Sequence, residues 1–329
     1  MALNLITDVV GLAVGHASDP VLASGVTAIL FDPPAVASVA VLGGAPGGHD
    51  TTMLEPHMTV ERIDAVVLSG GSVFGLDAAG GVQAALREAG RGFRLGPAVV
   101  PLASAAILFD LLNGGDKNWG RFPPYRELGY AAAVAARPGE FPLGTVGAGA
   151  GATTVTLKGG LGSASAVTPS GHTVGAIVAV NAVGTATLGD GPWFWAAPFE
   201  QGTEFGGRGW PSQVPPEALE LRIKRAPGTS TTIALVATDA TLTKPQAKRL
   251  AIMANDGLAR AILPAHAPMD GDTVFAAATG RRPLADEEDL TELGHLAAMV
   301  LARAVARGVY EATALPFPGA LPAWRDRFG

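Results

Sequence analysis

The run Thr231-Thr-Ile-Ala-Leu-Val-Ala-Thr-Asp239 is apolar through its centre and partly β-branched. A stretch this short and this continuous predicts a strand covered on both faces. Ahead of it, the loop Arg225-Ala-Pro-Gly228 leads into the hydroxyls of Thr229, Ser230, Thr231 and Thr232. These hydroxyls stand where a loop meets a fixed strand, a place that holds a nucleophile rigidly and leaves the preceding peptide bond accessible. A Thr-rich strand start is also an ordinary feature of sheets. The sharper alternative is that the chain cuts its own Ser230–Thr231 bond. Thr231 would then carry a hydroxyl nucleophile and a free α-amine that serves as its base, titrating near about 7.7–8.0.

Composition narrows the surroundings of such a strand. With 48% hydrophobic and 16% charged residues, the 329-residue chain has the makeup of a compact globular protein. About 100 residues follow Ser230 and open on a strand that needs burial, so elements from both sides of that bond must share a core. We therefore expect a single domain over residues 1–329. The 44 glycines and 25 prolines imply many turns and close backbone approaches. A net charge of −6 without a basic stripe argues against a nucleic-acid partner. The absence of cysteine removes disulfides, thiolate metal sites and a Cys nucleophile. No signal-like start and no membrane-length apolar stretch are read, so a cytoplasmic location is expected.

Along the chain, strand-like runs are predicted at Val26–Phe31, Ala37–Leu42, Ile63–Ser69, Ala105–Asn113, Thr153–Lys158 and Thr173–Asn181. Helices are predicted after Gly71 to about Glu88, and over about 125–136, 244–262 with Thr243 as N-cap, and 287–307. The long segment from Gly189 to Pro216 is rich in Pro, Gly and aromatics, and the Pro-rich tail is expected at the surface. Gly147, Gly149 and Ala152 loosely fit a dinucleotide fingerprint. The predicted strand that follows, in place of a helix, rejects that reading.

Several polar residues could carry chemistry, and each has an ordinary explanation. Gly70-Gly-Ser72-Val-Phe-Gly75 nearly matches a Gly-x-Ser-x-Gly nucleophile elbow between strand and helix, but the last glycine comes one position late. Ser72 otherwise caps the helix. Lys158 precedes a Gly-Gly turn, and a lone lysine is usually a solvated charge. Asn181 ends an apolar run, where it could satisfy turn backbone. Asp270 and Asp272 could form an Asx-turn before a buried strand. His49 and Asp50 occupy a glycine-rich loop, and a loop histidine is mostly solvated.

The runs at 6–16, 63–76, 158–165, 231–239 and 270–278, in this order and at these offsets, resemble the P1 (DmpA-like) peptidase family. That family includes L-aminopeptidase/D-esterases, β-peptidyl aminopeptidases and 6-aminohexanoate-oligomer (nylon-oligomer) endo-hydrolases. The resemblance implies an α/β fold, a four-layer αββα sandwich with two mixed sheets between helices. It implies self-cleavage into chains 1–230 and 231–329, with Thr231 as nucleophile and base. It also implies that Lys158 lies in the active site, that Asn181 is the oxyanion donor, and that Asp270 and Asp272 orient the Thr231 amine and hydroxyl. The family usually has Asn or Gly where this chain has Ser230, and often Arg-Glu near His49-Asp50. Several members place a Tyr where this chain has Phe109, for which Tyr125 or Tyr130 could substitute. Neither metal nor cofactor is called for, and the expected partners are a small peptide or amide substrate and further copies of the chain, a tetramer of αβ units. Three other readings stay open: an ornithine-acetyltransferase-like acyl transferase, a serine hydrolase acting through Ser72, and an uncleaved binding protein.

Overall fold

The computed structural model describes residues 2–224 and 229–329. The predicted loop Arg225–Gly228 lies outside the described residues. In chain order the elements are β1 (Leu12–Asp19), β2 (Ser24–Val41), β3 (Gly48–His49), β4 (Arg62–Ser69), α1 (Asp77–Glu88), β5 (Phe93–Leu95), β6 (Ala98–Val100) and β7 (Ala103–Ile107). Then come α2 (Tyr125–Ala135), β8 (Leu161–Val167), β9 (Thr173–Asn181), β10 (Thr231–Thr241), α3 (Lys244–Ala261), β11 (Thr273–Pro283), α4 (Glu287–Tyr310) and α5 (Trp324–Phe328).

Among the described residues, nine strands hydrogen-bond into one network in the order β3-β7-β4-β2-β11-β10-β9-β8, with β1 on β2. Its two layers are joined by β2, an 18-residue strand. The first part of β2 pairs with β1 and β4, and its last part pairs with β11. Between them, at Leu30–Ala35, the register with β4 shifts, as an irregularity that bends a strand does.

Period-2 alternation shows the layers directly. Ile29, Phe31, Ala35, Ala37 and Val39 of β2 enter a central core with Val66, Ile177, Ile233, Leu235 and Phe275. Val26, Ala28 and Leu30 instead pack with Val82, Leu86 and Ala132 under α1 and α2. Val36 and Ala40 pack with Val178, Val236 and Val274 beneath Leu250, Leu258 and Leu301 of α3 and α4. The layers are therefore helix, sheet, sheet, helix: an αββα sandwich. The expected strand that is apolar on both faces is β10, whose odd residues 233, 235 and 237 enter the central core and whose 234 and 236 enter the helix-side core.

Local signals set the helix ends. Thr243 accepts the Gln246 N–H and starts α3. Asp286 accepts the N–H groups of Glu288 and Asp289 at the start of α4, whose first turn is acidic, as the helix dipole favours. Four expectations are corrected. The two runs at 26–31 and 37–42 are one strand, β2. The run at 105–113 leaves the sheet after Ile107, so Phe109 and Asp110 lie past the strand end. Thr153–Lys158 is a turn, because Thr154 pairs with Leu157 through both backbone and hydroxyl and competes with a ladder. The tail is not merely surface, since Trp324 is 2% exposed and stacks on Phe194 at 5.6 Å between ring centroids.

Candidate active site

Strand pairing brings the polar residues together at one end of β10. Thr231 is the first residue of β10 and sits opposite Asn181, the last residue of β9, in the antiparallel register. On the other side, Ser230 forms a parallel bridge with Asp270, just ahead of β11. The peptide between Ser230 and Thr231 is thus held between an amide side chain and the Asp270-Gly-Asp272 turn. Both residues are almost fully buried.

The Thr231 hydroxyl donates to the Ser230 carbonyl oxygen at 2.5 Å. The same oxygen accepts the Gly271 N–H at 3.2 Å. Gly271 has no room for a side chain, since a Cβ would stand 2.7 Å from Thr231 Oγ1. Asp272 Oδ1 accepts the Thr232 N–H at 2.8 Å, while its Oδ2 accepts the His266 N–H at 3.1 Å and lies 2.8 Å from His266 Nδ1. Asp270 Oδ1 accepts the Gly271 N–H, and its Oδ2 is buried. Burial, and then the neighbouring Asp272, push the Asp270 carboxyl up to about 8.

The Asn181 amide uses both ends. Its Nδ2 donates to the carbonyls of Phe109 and Thr229, both at 3.0 Å, and its Oδ1 accepts from the Thr153 N–H at 3.0 Å and from Lys224 Nζ at 2.9 Å. Lys158 is buried, with Nζ donating to the carbonyls of Gly149 and Gly159 at 2.9 and 2.7 Å. Burial lowers its ammonium to about 7, opposed by the charge of Asp110. Burial likewise lowers Lys224 to about 7, with Asp270 opposing the shift and Lys158 adding to it.

A cavity of about 410 Å³ opens beside this group. Thr229, Lys158, Lys224, Phe109 and Asp110 are in its wall, with Leu315 and Leu321 of the C-terminal tail opposite. Asp110 receives the Ser24 hydroxyl at 2.6 Å and the Gly71 N–H at 2.8 Å, and Tyr125 donates to Ser24 at 3.1 Å. Among the described residues, no cluster of three His, Asp or Glu is arranged to hold a metal ion. A hydroxyl on its own preceding carbonyl, with a second donor on that oxygen and buried carboxylates alongside, has the parts for acyl transfer.

Thr231, Ser230, Asn181, Asp270 and Asp272 thus share one site, and Lys158 lines the adjoining cavity. Ser72 makes no hydrogen bond to any of them. It follows the strand-to-helix turn at Gly71, with φ 53°, and its N–H bonds the Leu108 carbonyl. It does not cap the helix. Among the described residues, no histidine or carboxylate is hydrogen-bonded to its hydroxyl. Phe109 reaches Asn181 through its carbonyl and supplies no hydroxyl. Tyr125 joins the Asp110 cluster behind the cavity, whereas Tyr130 is turned away to Glu88. His49 and Asp50 pair with each other at 3.3 Å, with exposed side chains. Sequence reasoning missed Lys224, Asp110 and His266, single polar residues in irregular segments without periodicity to mark them. Gly271 was legible in principle, being the residue between the two aspartates.

This fold and site define a hydrolase of amide or peptide bonds, and comparison with known proteins agrees. Residues 4–320 match Peptidase family S58, and the chain belongs to that family, the DmpA family. An uncharacterized aminopeptidase of Mycobacterium tuberculosis is 41% identical, over 99% of this chain and 98% of the relative. The 6-aminohexanoate-oligomer endohydrolase of Paenarthrobacter ureafaciens is 30% identical, over 86% of this chain and 75% of the relative. The L-aminopeptidase D-Ala-esterase/amidase of Ochrobactrum anthropi, described as a variant of the Ntn hydrolase fold, superposes with a TM-score of 0.70. That structure is 22% identical and covers 98% of this chain and 92% of its own, a likeness of fold. Among the described residues, no helix is long and apolar enough to cross a membrane.

Proposed function

We propose that this hydrolase makes its own nucleophile by cutting between Ser230 and Thr231, and that Thr231 then hydrolyses peptides or peptide-like amides. The observation that carries the reading is the Thr231 hydroxyl held 2.5 Å from the Ser230 carbonyl oxygen, with the Gly271 N–H on the same oxygen. In the continuous chain Thr231 Oγ attacks the Ser230 carbonyl carbon. The Gly271 N–H stabilises the resulting oxyanion, and the C–N bond breaks as the Oγ proton passes to the departing nitrogen, leaving an ester on Oγ and a free Thr231 amine. Water opens the ester, giving a Ser230 carboxylate and restoring the hydroxyl.

In turnover, the freed amine takes the Oγ proton as Oγ attacks a substrate amide, and the proton passes to the leaving amine. Asn181 Nδ2, which clamps the Thr229 carbonyl in the continuous chain, becomes the oxyanion donor once that strand moves away. Asp272 fixes the backbone at Thr232, Asp270 stands opposite Ser230, and Lys158 lines the cavity that would receive the substrate. The acyl group on Thr231 is finally released to water. Substrates of the kind named in the relatives, aminoacyl amides and 6-aminohexanoate oligomers, are of a size to enter the cavity beside Thr229.

Wild-type and Thr231→Ala protein, assayed on L-alanine p-nitroanilide, β-alanine p-nitroanilide and 6-aminohexanoate oligomers, test this reading. Wild type should release product from at least one and the variant from none. Undiminished hydrolysis by the variant would overturn the assignment of Thr231. Faster transfer to an added amine than to water would make the enzyme an acyl transferase using the same threonine.

A further inference from the structure

Lys224 lies outside every motif of this chain and seven residues ahead of Thr231, yet its ammonium points into the site. Nζ donates to the Thr153 carbonyl at 2.7 Å, to Asn181 Oδ1 at 2.9 Å and to the Asn181 carbonyl at 3.4 Å. A primary amide offers two acceptor and two donor positions. In Asn181 all four are filled: Thr153 N–H and Lys224 on Oδ1, the Phe109 and Thr229 carbonyls on Nδ2.

Turning this amide over would set two donors against Nδ2 and two carbonyls against Oδ1. The orientation is therefore fixed from the oxygen end. Of the two groups there, the Thr153 N–H makes a neutral bond, and Lys224 in its ammonium form makes a charge-assisted one, roughly twice as strong. A cation on Oδ1 also draws electron density from the amide and makes the Nδ2 hydrogens better donors.

We propose that Lys224 is a positioning residue that acts through Asn181, holding the amide with Nδ2 toward the reacting strand and strengthening it as a donor. In the precursor this clamps the carbonyl of Thr229, one residue before the scissile bond. In the processed enzyme it presents the same donor to the substrate carbonyl. The inference rests on the role given to Asn181 under the proposed function.

Self-cleavage needs no added substrate, so it is the readout. Precursor made in a cell-free pulse is followed by intact mass for wild type, Lys224→Met, Asn181→Ala and the double variant. Lys224→Met should slow the cut roughly tenfold or more, the effect of losing a hydrogen bond to a charged group. In the Asn181→Ala background, the same change should add less than about twofold, because groups acting through one another are non-additive. Lys224→Gln, which keeps a neutral donor, should recover part of the rate, and it carries the test if Lys224→Met does not fold. In a Thr231→Ala background, where no cut occurs, the lysine variants should melt within a few degrees of their parent. If Asn181→Ala slows cleavage but the lysine variants cut at the wild-type rate, Lys224 has no such role, although the reading of Asn181 survives. Equal, additive losses in both backgrounds would likewise overturn it. Wild-type cleavage by Asn181→Ala would instead remove the role of Asn181 itself.

Discussion

Ser72 and Thr231 are both hydroxyl residues placed where a strand meets a turn, and the structure furnishes them very differently. Ser72 follows Gly71 at the end of β4, in a left-handed backbone conformation with φ 53°. Its N–H donates to the Leu108 carbonyl. Thr231 opens β10 between β9 and β11, and around it the Asn181 amide holds the Thr229 carbonyl, the Gly271 N–H holds the Ser230 carbonyl and Asp272 holds the Thr232 N–H. The turn at Ser72 looks more like a nucleophile motif in sequence, but the start of β10 at Thr231 has the polar partners that the proposed mechanism uses. What distinguishes them is register. Long-range pairing, not local pattern, decides which hydroxyl gains partners.

The largest expected effect is at the nucleophile. Thr231→Ala should abolish chain cleavage and lower amide turnover by at least ~10³-fold, measured by intact mass and by kcat. Ser72→Ala should leave both within about threefold, as expected of a residue outside the reacting group. If the two variants exchanged these outcomes, the contrast drawn between the two turns would be reversed.

Asn181→Ala should come next, with kcat reduced roughly 10²- to 10³-fold, the range for removing one oxyanion donor, and KM changed much less. Gly271→Ala places a methyl against Thr231 Oγ1, at 2.7 Å, and against the Ala45 carbonyl, at 3.0 Å. It should slow self-cleavage more than it lowers the thermal midpoint, which a time course beside a melting curve would check.

A smaller effect concerns pH. With its folded value raised to about 8, Asp270 keeps a proton in the native precursor where the unfolded chain, near its ordinary 3.8, has lost it. The native state then binds more protons between those values, so this group's contribution to stability falls as pH rises through the window. Asp270→Asn in a Thr231→Ala precursor should flatten that decline in denaturant midpoints taken from pH 5 to 8. An unchanged slope would place the titration elsewhere. The smallest effect is at the other turn: Ser72→Gly relieves a positive φ at the expense of chain entropy and should shift stability by no more than about 1 kcal/mol.

Much of this was legible in the sequence because it is local. The Thr243 cap of α3 and the two-sided burial of β10 follow from short patterns. The continuity of β2 was hidden by Asp32-Pro33-Pro34, which reads as a break although the chain only changes layer there. The turn at Thr153–Lys158 was misread because alternating threonines imitate a strand. At the site, Thr231, Asn181, Asp270 and Asp272 could be named from motifs. Nothing in the spacing revealed that Asn181 stands opposite Thr231, or that Lys224 reaches the far end of its amide. Those facts arise only when β9, β10 and β11 pair.

The most direct measurement is N-terminal sequencing, with intact mass, of purified enzyme that is turning over an amide. The account predicts two chains, one of them beginning Thr-Thr-Ile-Ala-Leu at residue 231. A single uncut chain with full activity would contradict it.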